Sequence, residues 1–293
     1  MFPLKTALFT AWCTTLLAFC VSCSPTEQTA DEQTIYVSIL PLRGLIQEIT
    51  GDDWPIEVLV PAGASPETFE PTPRQFVALN RAQLVFNVGL IDFERALLQK
   101  LDDNQKVVDL STGIELLAGS CSHTHADGSI HRHAHGVDPH IWTSPKALKQ
   151  MAANAYAAIH RNYPDSTKYA DNYLNLCEKL DTLDAQVARQ TAAAGVDLFV
   201  IYHPALSYYA RDYGLQQLAI EEDGKEPSAR HLARLIEQAR QHGVRHIFYQ
   251  SQFPATTVEV IAGDVGAEAV QFDPLREDLL ENITEITRLI TAQ

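Results

Sequence analysis

The chain has 293 residues, with 37 acidic against 22 basic side chains and a formal net charge of −15. That balance argues against nucleic acid as a partner, and no basic amphipathic helix suits the chain to lying on anionic lipid. Five cysteines in such a length are not a disulfide framework, while the chain beyond its leader is long enough for two modest α/β lobes.

Residues 1–22 carry one charge, Lys5, and an apolar stretch from Ala7 to Val21. The stretch is too short to span a bilayer comfortably but suits a secretory leader. It ends in Cys20-Val21-Ser22-Cys23, and a polar run follows over 24–33. A small residue directly before a cysteine at this place resembles a bacterial lipobox, with Cys23 as the lipidated first residue of the mature chain. Cys20 fits less well, because bulky Phe19 precedes it. An ordinary cleaved signal peptide is the alternative, and both readings place the protein outside the cytoplasm. Residues 23–33 then read as a flexible tether to the membrane.

From Thr34 onward, β-rich runs alternate with helical periodicity. Strands are expected at 35–40, 56–60, 84–89 and 107–110, and helices at 43–50, 73–82 and 93–101. The undecorated apolar run around Phe86 fits a strand buried on both faces. A polar, histidine-laden loop occupies 119–137, and a helix follows at 145–161. Asp165 can cap a longer helix of about 30 residues, or about 45 Å, without Gly or Pro. Tyr169, Tyr173, Leu176, Leu180, Leu183 and Val187 give it one apolar stripe. A second series begins after it, with strands at 198–202, 218–220, 247–249 and 269–272. Its helices are expected near 205–213, 228–242, 256–265 and 277–292. The expectation is an α/β fold of two lobes, each a mostly parallel sheet flanked by helices, joined by one long rigid helix. The N-terminal lobe covers 34–163, the linking helix 164–194 and the C-terminal lobe 195–293.

No glycine-rich phosphate loop or G-x-S-x-G elbow occurs, and the C-x-x-C of Cys20 and Cys23 lies at the end of the leader, which removes several enzyme classes. The strongest chemical feature is the segment from Cys121 to His140. His123, His125, His131, His133 and His135 crowd into thirteen residues, and His140 follows in Asp138-Pro139-His140. Imidazole suits zinc, copper and nickel, but alternating histidines on a flexible loop impose no closed geometry. That loop is expected to bind metal weakly and exchangeably. Cys121 and Cys177 can pair in an oxidising compartment, although free thiols are the preferred reading.

Six segments in order carry a specific resemblance. They are SILPLRGLIQEITGDDWPIEVLVPAGASPETFEPTPRQ, LVFNVGLIDFE, the histidine loop with DPHIWTSPKAL, YHPALSYYARDYGL, EPSARHLARLIEQARQHGVRHIFYQSQF and FDPLRED. Together they resemble the cluster A-I substrate-binding proteins of ABC transporters for zinc and manganese, from about residue 34 to the C-terminus. The resemblance implies two α/β lobes joined by a rigid helix, with metal in the cleft, and a membrane permease as partner. A non-enzymatic monomer is expected, and two imidazoles with the histidine loop favour zinc as its cargo, manganese or iron being the less favoured ions. Matched position by position, the resemblance implies Glu67, His140, His203 and Asp273 as the metal ligands. Glu67 stands where the family usually has histidine, and Glu70 or a water is the competing occupant of that position. Asp138 is of the right type to orient the His140 ring. A metal-dependent hydrolase with Glu67 as base, and a metal-binding surface adhesin, are the rival functions.

Overall fold

In a computed structural model of the chain, residues 34–119, 136–221, 227–253 and 255–292 are described. The leader, Cys23, the tether, Cys121 and the histidines from 123 to 135 lie outside those residues. Two four-stranded parallel sheets are present among the described residues. The first comprises β1 (Ile35–Val37), β2 (Ile56–Val58), β3 (Leu84–Asn87) and β4 (Val107–Asp109), in the order β2-β1-β3-β4. Its intervening helices are α1 (Leu40–Thr50), α2 (Pro73–Arg81) and α3 (Asp92–Leu98). Registers such as Ile35↔Ile56, Ile35↔Leu84 and Val85↔Val107 align the strands so that their carboxyl ends share one edge. As expected for a parallel sheet covered on both faces, all four residues of β3 are buried.

A 3-10 turn (Ile141–Thr143) and α4 (Pro145–Asn162) lead to α5 (Thr167–Ala194). Beyond α5 come β5 (Leu198–Ile201), α6 (Ser207–Tyr213), β6 (Gln216–Ala219), α7 (Ala229–Gln241), β7 (His246–Gln250), α8 (Ala255–Val265), β8 (Glu268–Phe272) and α9 (Leu279–Thr291). The second sheet has the order β6-β5-β7-β8, repeating the arrangement of the first.

Local differences from the sequence reading have physical reasons. Helix α1 starts at Leu40 rather than 43, because Pro41 sits in its first turn, where no amide donor is needed. The cap of α5 is Ser166, whose hydroxyl accepts the Tyr169 N–H, one residue later than Asp165. Gly195 closes α5 in a left-handed conformation at φ +65°, which a side chain would resist. Strand β6 begins earlier than expected, at Gln216, since an edge strand tolerates polar residues.

The 28-residue α5 is more than a strut. Tyr169, Leu176, Leu180, Leu183, Val187 and Thr191 are buried, with Tyr173 only half-buried against them. These side chains belong to a core that runs from the first sheet, α1 and α4 into Phe199, Ile201, Phe248 and the α9 isoleucines. Each fully buried Leu or Ile is worth about 1.5–3 kcal/mol removed from water, so the stripe binds the two lobes firmly. Alternation along β5 divides the rest: Phe199 and Ile201 face this core, while Leu198, Val200 and Tyr202 face a smaller cluster with Ile247 and Val258. Gly44 on α1 is a close approach, since a Cβ there would clash with the Glu277 carbonyl oxygen. The lobes are therefore welded along α1, α5 and α9.

Candidate metal centre

The site lies where the carboxyl ends of both sheets face each other, the usual ligand position in open parallel sheets. Glu67 comes from the loop after β2, and His140 from the turn before Ile141–Thr143. His203 comes directly after β5. Each is placed by ordinary local chemistry. The Glu67 loop is anchored at its far end by Thr72 and Gln75, which form a reciprocal cap on α2, and by Gln75 Nε2 donating to Leu59 O at 2.8 Å. Phe69 of the same loop packs edge-on against Phe93 at 5.1 Å. His140 precedes the cap of α4, where Ser144 accepts the Ala147 N–H.

One ligand atom each from Glu67, His140 and His203 falls within 4.8 Å of the others. The His203 and His140 Nε2 atoms are 3.3 Å apart, and His203 Nε2 is 3.0 Å from Glu67 Oε1. Ligands at about 2.0–2.1 Å on a tetrahedral zinc ion stand about 3.3–3.4 Å from one another, so the nitrogen pair is already spaced for an ion.

The tautomers follow from what holds the rings. His140 Nδ1 is 2.8 Å from Asp138 Oδ1, which also accepts the His140 backbone N–H at 2.9 Å. His203 Nδ1 is 3.0 Å from Glu221 Oε2. A carboxylate only accepts, so both rings donate through Nδ1 and turn the Nε2 lone pair into the cleft. Two lone pairs facing each other at 3.3 Å repel unless a proton or a cation lies between them. The electrostatics record the proton. Burial opposes charge on His203, but hydrogen bonds to Glu221 and Glu67 overcome it and raise the imidazole to about 9. Burial likewise pushes the Glu67 carboxyl up, and the His203 bond with the His203 and His140 charges draws it below its ordinary value. Asp138, buried, is held low by His140 in the same way, against desolvation.

Aromatic walls dry the site. Phe253 stacks on His203 at 5.4 Å, and Trp142 lies 5.1 Å from His140. Trp142 Nε1 donates to Pro274 O at 2.9 Å and Tyr208 donates to Asp138 O at 2.8 Å, each bond crossing between lobes. The remaining space is about 40 Å³. That holds an ion and one or two waters and excludes an organic solute.

Of the residues expected to bind metal, Glu67, His140 and His203 are brought together, and Asp138 stands behind His140 as expected. Asp273 falls outside the three-ligand group. Its Oδ1 accepts the Leu275 N–H at 2.8 Å, and Asn282 clasps its carbonyl at 2.9 Å, so Pro274 and Leu275 line the cavity instead. Glu70 is likewise absent from the group. Cys177 is unpaired among the described residues, and Cys121 lies outside them. Sequence reasoning missed Glu221, which sits eighteen residues after His203 with no motif to link them. It also missed Gln250 at the end of β7.

Fold and site together define a two-lobed α/β protein with a candidate metal centre between its sheets. The chain belongs to the ZnuA family, described as the periplasmic component A of the zinc-uptake complex, whose family model matches residues 35–291. The zinc-binding lipoprotein AdcA of Streptococcus pneumoniae is 28% identical over 91% of this chain. The chain spans 54% of that relative's length. The high-affinity zinc uptake protein ZnuA of Bacillus subtilis is 29% identical over 92% of this chain and 88% of its own. A crystal structure of ZnuA superposes with a TM-score of 0.79 at 32% identity, covering 89% of this chain and 98% of that one. A zinc-bound ZnuA lacking its residues 138–173 gives 0.78 at 32% identity, covering 88% and 96%.

Proposed function

We propose that this chain captures a divalent cation, zinc foremost, between its lobes and delivers it to the membrane permease of an ABC importer. The observation that carries the reading is the paired imidazoles, each locked by a carboxylate so that its Nε2 lone pair meets the other and Glu67 at a spacing fit for one ion. Glu67, His140 and His203 are the protein ligands. Two nitrogens and one oxygen favour zinc over manganese or iron, which take harder, oxygen-richer sets. A hydrolase with this ligand count would need space for its substrate, and the cavity of about 40 Å³ offers none. The zinc-bound relative and the zinc-uptake family name support the same cargo.

Delivery to a membrane permease suits a protein held outside the cytoplasm by a lipid on Cys23 and acting as a monomer. The histidines from 123 to 135 are assigned an accessory role in gathering ions near the cleft. Elemental analysis of the purified mature protein, followed by zinc–manganese competition, tests the reading. One zinc per chain, retained against excess manganese, is expected. Preferential retention of manganese would overturn the choice of cargo.

A further inference from the structure

The three protein ligands leave one position of a tetrahedral ion unfilled. Two residues lining the same cavity each carry a buried side-chain atom without a hydrogen-bond partner among the described residues: Gln250 Oε1 and Gln252 Nε2. Gln250 is the informative one, being only 2% exposed. Its Nε2 donates to the His203 backbone carbonyl at 2.8 Å, which fixes the amide the right way round and leaves the oxygen as the idle atom. A buried acceptor without a donor is costly, a cost natural proteins carry where a missing group will satisfy it.

The chemistry of that missing group is narrow. It must donate to Gln250 Oε1, fit with the ion in about 40 Å³, and occupy the open coordination position. Water does all three. Its lone pair goes to the ion, and both its hydrogens remain available as donors, sharpened by the metal charge. An aprotic anion such as azide or chloride has no proton for an amide oxygen and would be repelled by it. Gln252 offers a donor in the same cavity, so a second water fits there, accepting from Nε2.

We infer that Gln250 holds an exchangeable water as the fourth ligand of the bound ion and thereby selects water over anions at that position. The inference rests on the three-ligand reading above. Gln250 is a positioning residue, acting on the ion through the water. A water ligand leaves more readily than a fourth side chain, which suits a protein that must release its cargo.

The test uses the mature chain loaded with Zn²⁺ or Co²⁺, in wild type, Gln250→Met and Gln250→Glu. Met removes both amide functions at similar length, whereas Glu keeps an acceptor, loses the donor to His203 and adds a negative charge. Zinc affinity is expected to fall about tenfold in Gln250→Met, the worth of one hydrogen bond to a metal-polarised donor. It should return to at least the wild-type value in Gln250→Glu. Azide titrated into the Co²⁺ protein should bind about tenfold tighter in Gln250→Met, read from the visible absorption bands. Equal losses in both variants with unchanged azide binding would mean that Gln250 merely braces the His203 backbone, and would overturn the inference. A crystal structure of zinc-loaded wild type gives an answer independent of how the variants fold. Water on zinc within hydrogen-bond reach of Gln250 Oε1 supports it; Asp273, Glu70 or the amide oxygen itself on zinc overturns it. Wild-type chain that binds no zinc would instead refute the underlying site.

Discussion

The two imidazoles of the centre face each other as near equivalents, yet they are oriented by different kinds of structure. His140 is held by Asp138, two residues earlier on the same turn, which takes both its ring and its backbone N–H. His203 is held by Glu221, which follows β6 and reaches the ring only because β5 and β6 pair. The first arm is built by local sequence and the second by a sheet. A locally built arm keeps its geometry through any movement of the lobes. An arm built by the sheet is only as firm as the C-terminal lobe that carries it. That lobe also bears the titrating proton, so binding and protonation compete most directly at His203.

Removal of an arm should have the largest effect. His203→Ala is expected to weaken zinc binding by more than about a hundredfold, exceeding the 10–100-fold typical of losing a partner behind a ligand. The far-ultraviolet circular dichroism should be unchanged. Chelator competition reads the affinity, and a variant that kept wild-type affinity would remove His203 from the site.

The comparison sharpens in the carboxylates behind the rings. Asp138→Asn is expected to cost close to a hundredfold in affinity, since it disturbs ring and backbone together. Glu221→Gln should cost nearer tenfold, because only the ring loses its partner. Equal losses would show that the two arms do not differ in the way their contacts imply.

The effect of pH is smaller per unit but has a definite sign. Zinc must displace the proton that holds the empty His203 up at about 9. Apparent affinity should therefore rise about tenfold per pH unit between roughly 6.5 and 9, and level off above. Stability of the metal-free protein runs the other way. A folded value raised above the unfolded one of about 6.5 stabilises fully below pH 6.5, and that contribution is lost as pH rises through 9. Calorimetry across this range, with thermal melts of the empty protein alongside, checks both slopes. A flat affinity profile would deny the proton its place between His203 and Glu67.

The smallest effect is expected from the histidine loop. Deleting residues 122–135 while keeping Asp138 and His140 should leave the tight site within about threefold, because chelation by a flexible chain bears an ordering cost that the packed site avoids. Weaker zinc equivalents seen in the intact chain should disappear from the calorimetric titration. Loss of the tight site with the loop would make the loop part of the primary centre.

Much of this was legible before any coordinates. A continuous apolar run marks β3 and an apolar stripe at spacings of three and four marks α5, because burial of one element's side chains is a local property of the chain. Asp138 was legible for the same reason, lying within one turn of the histidine it serves. The capping residue of α5 was misplaced by one, since Asp165 and Ser166 are both good caps and only the backbone geometry selects between them. Glu67, His140 and His203 were named as ligands through the resemblance rather than through any spacing in the chain.

What the sequence by itself determined is the alternation of strands and helices, the long helix, and the residue types able to bind a metal. Tertiary structure alone decided that α5 and α9 share one core with α1, welding the lobes. It also decided that Glu221 serves His203, that Asp273 is engaged in its own turn, and that Gln250, which lines the cavity, is left with an idle oxygen. The reason is physical: patterns along one element are set by neighbours in sequence, whereas hydrogen bonds between strand ends depend on pairing and register that no local rule encodes. His203 and Glu221 meet because two parallel strands align Ile201 with Ala219.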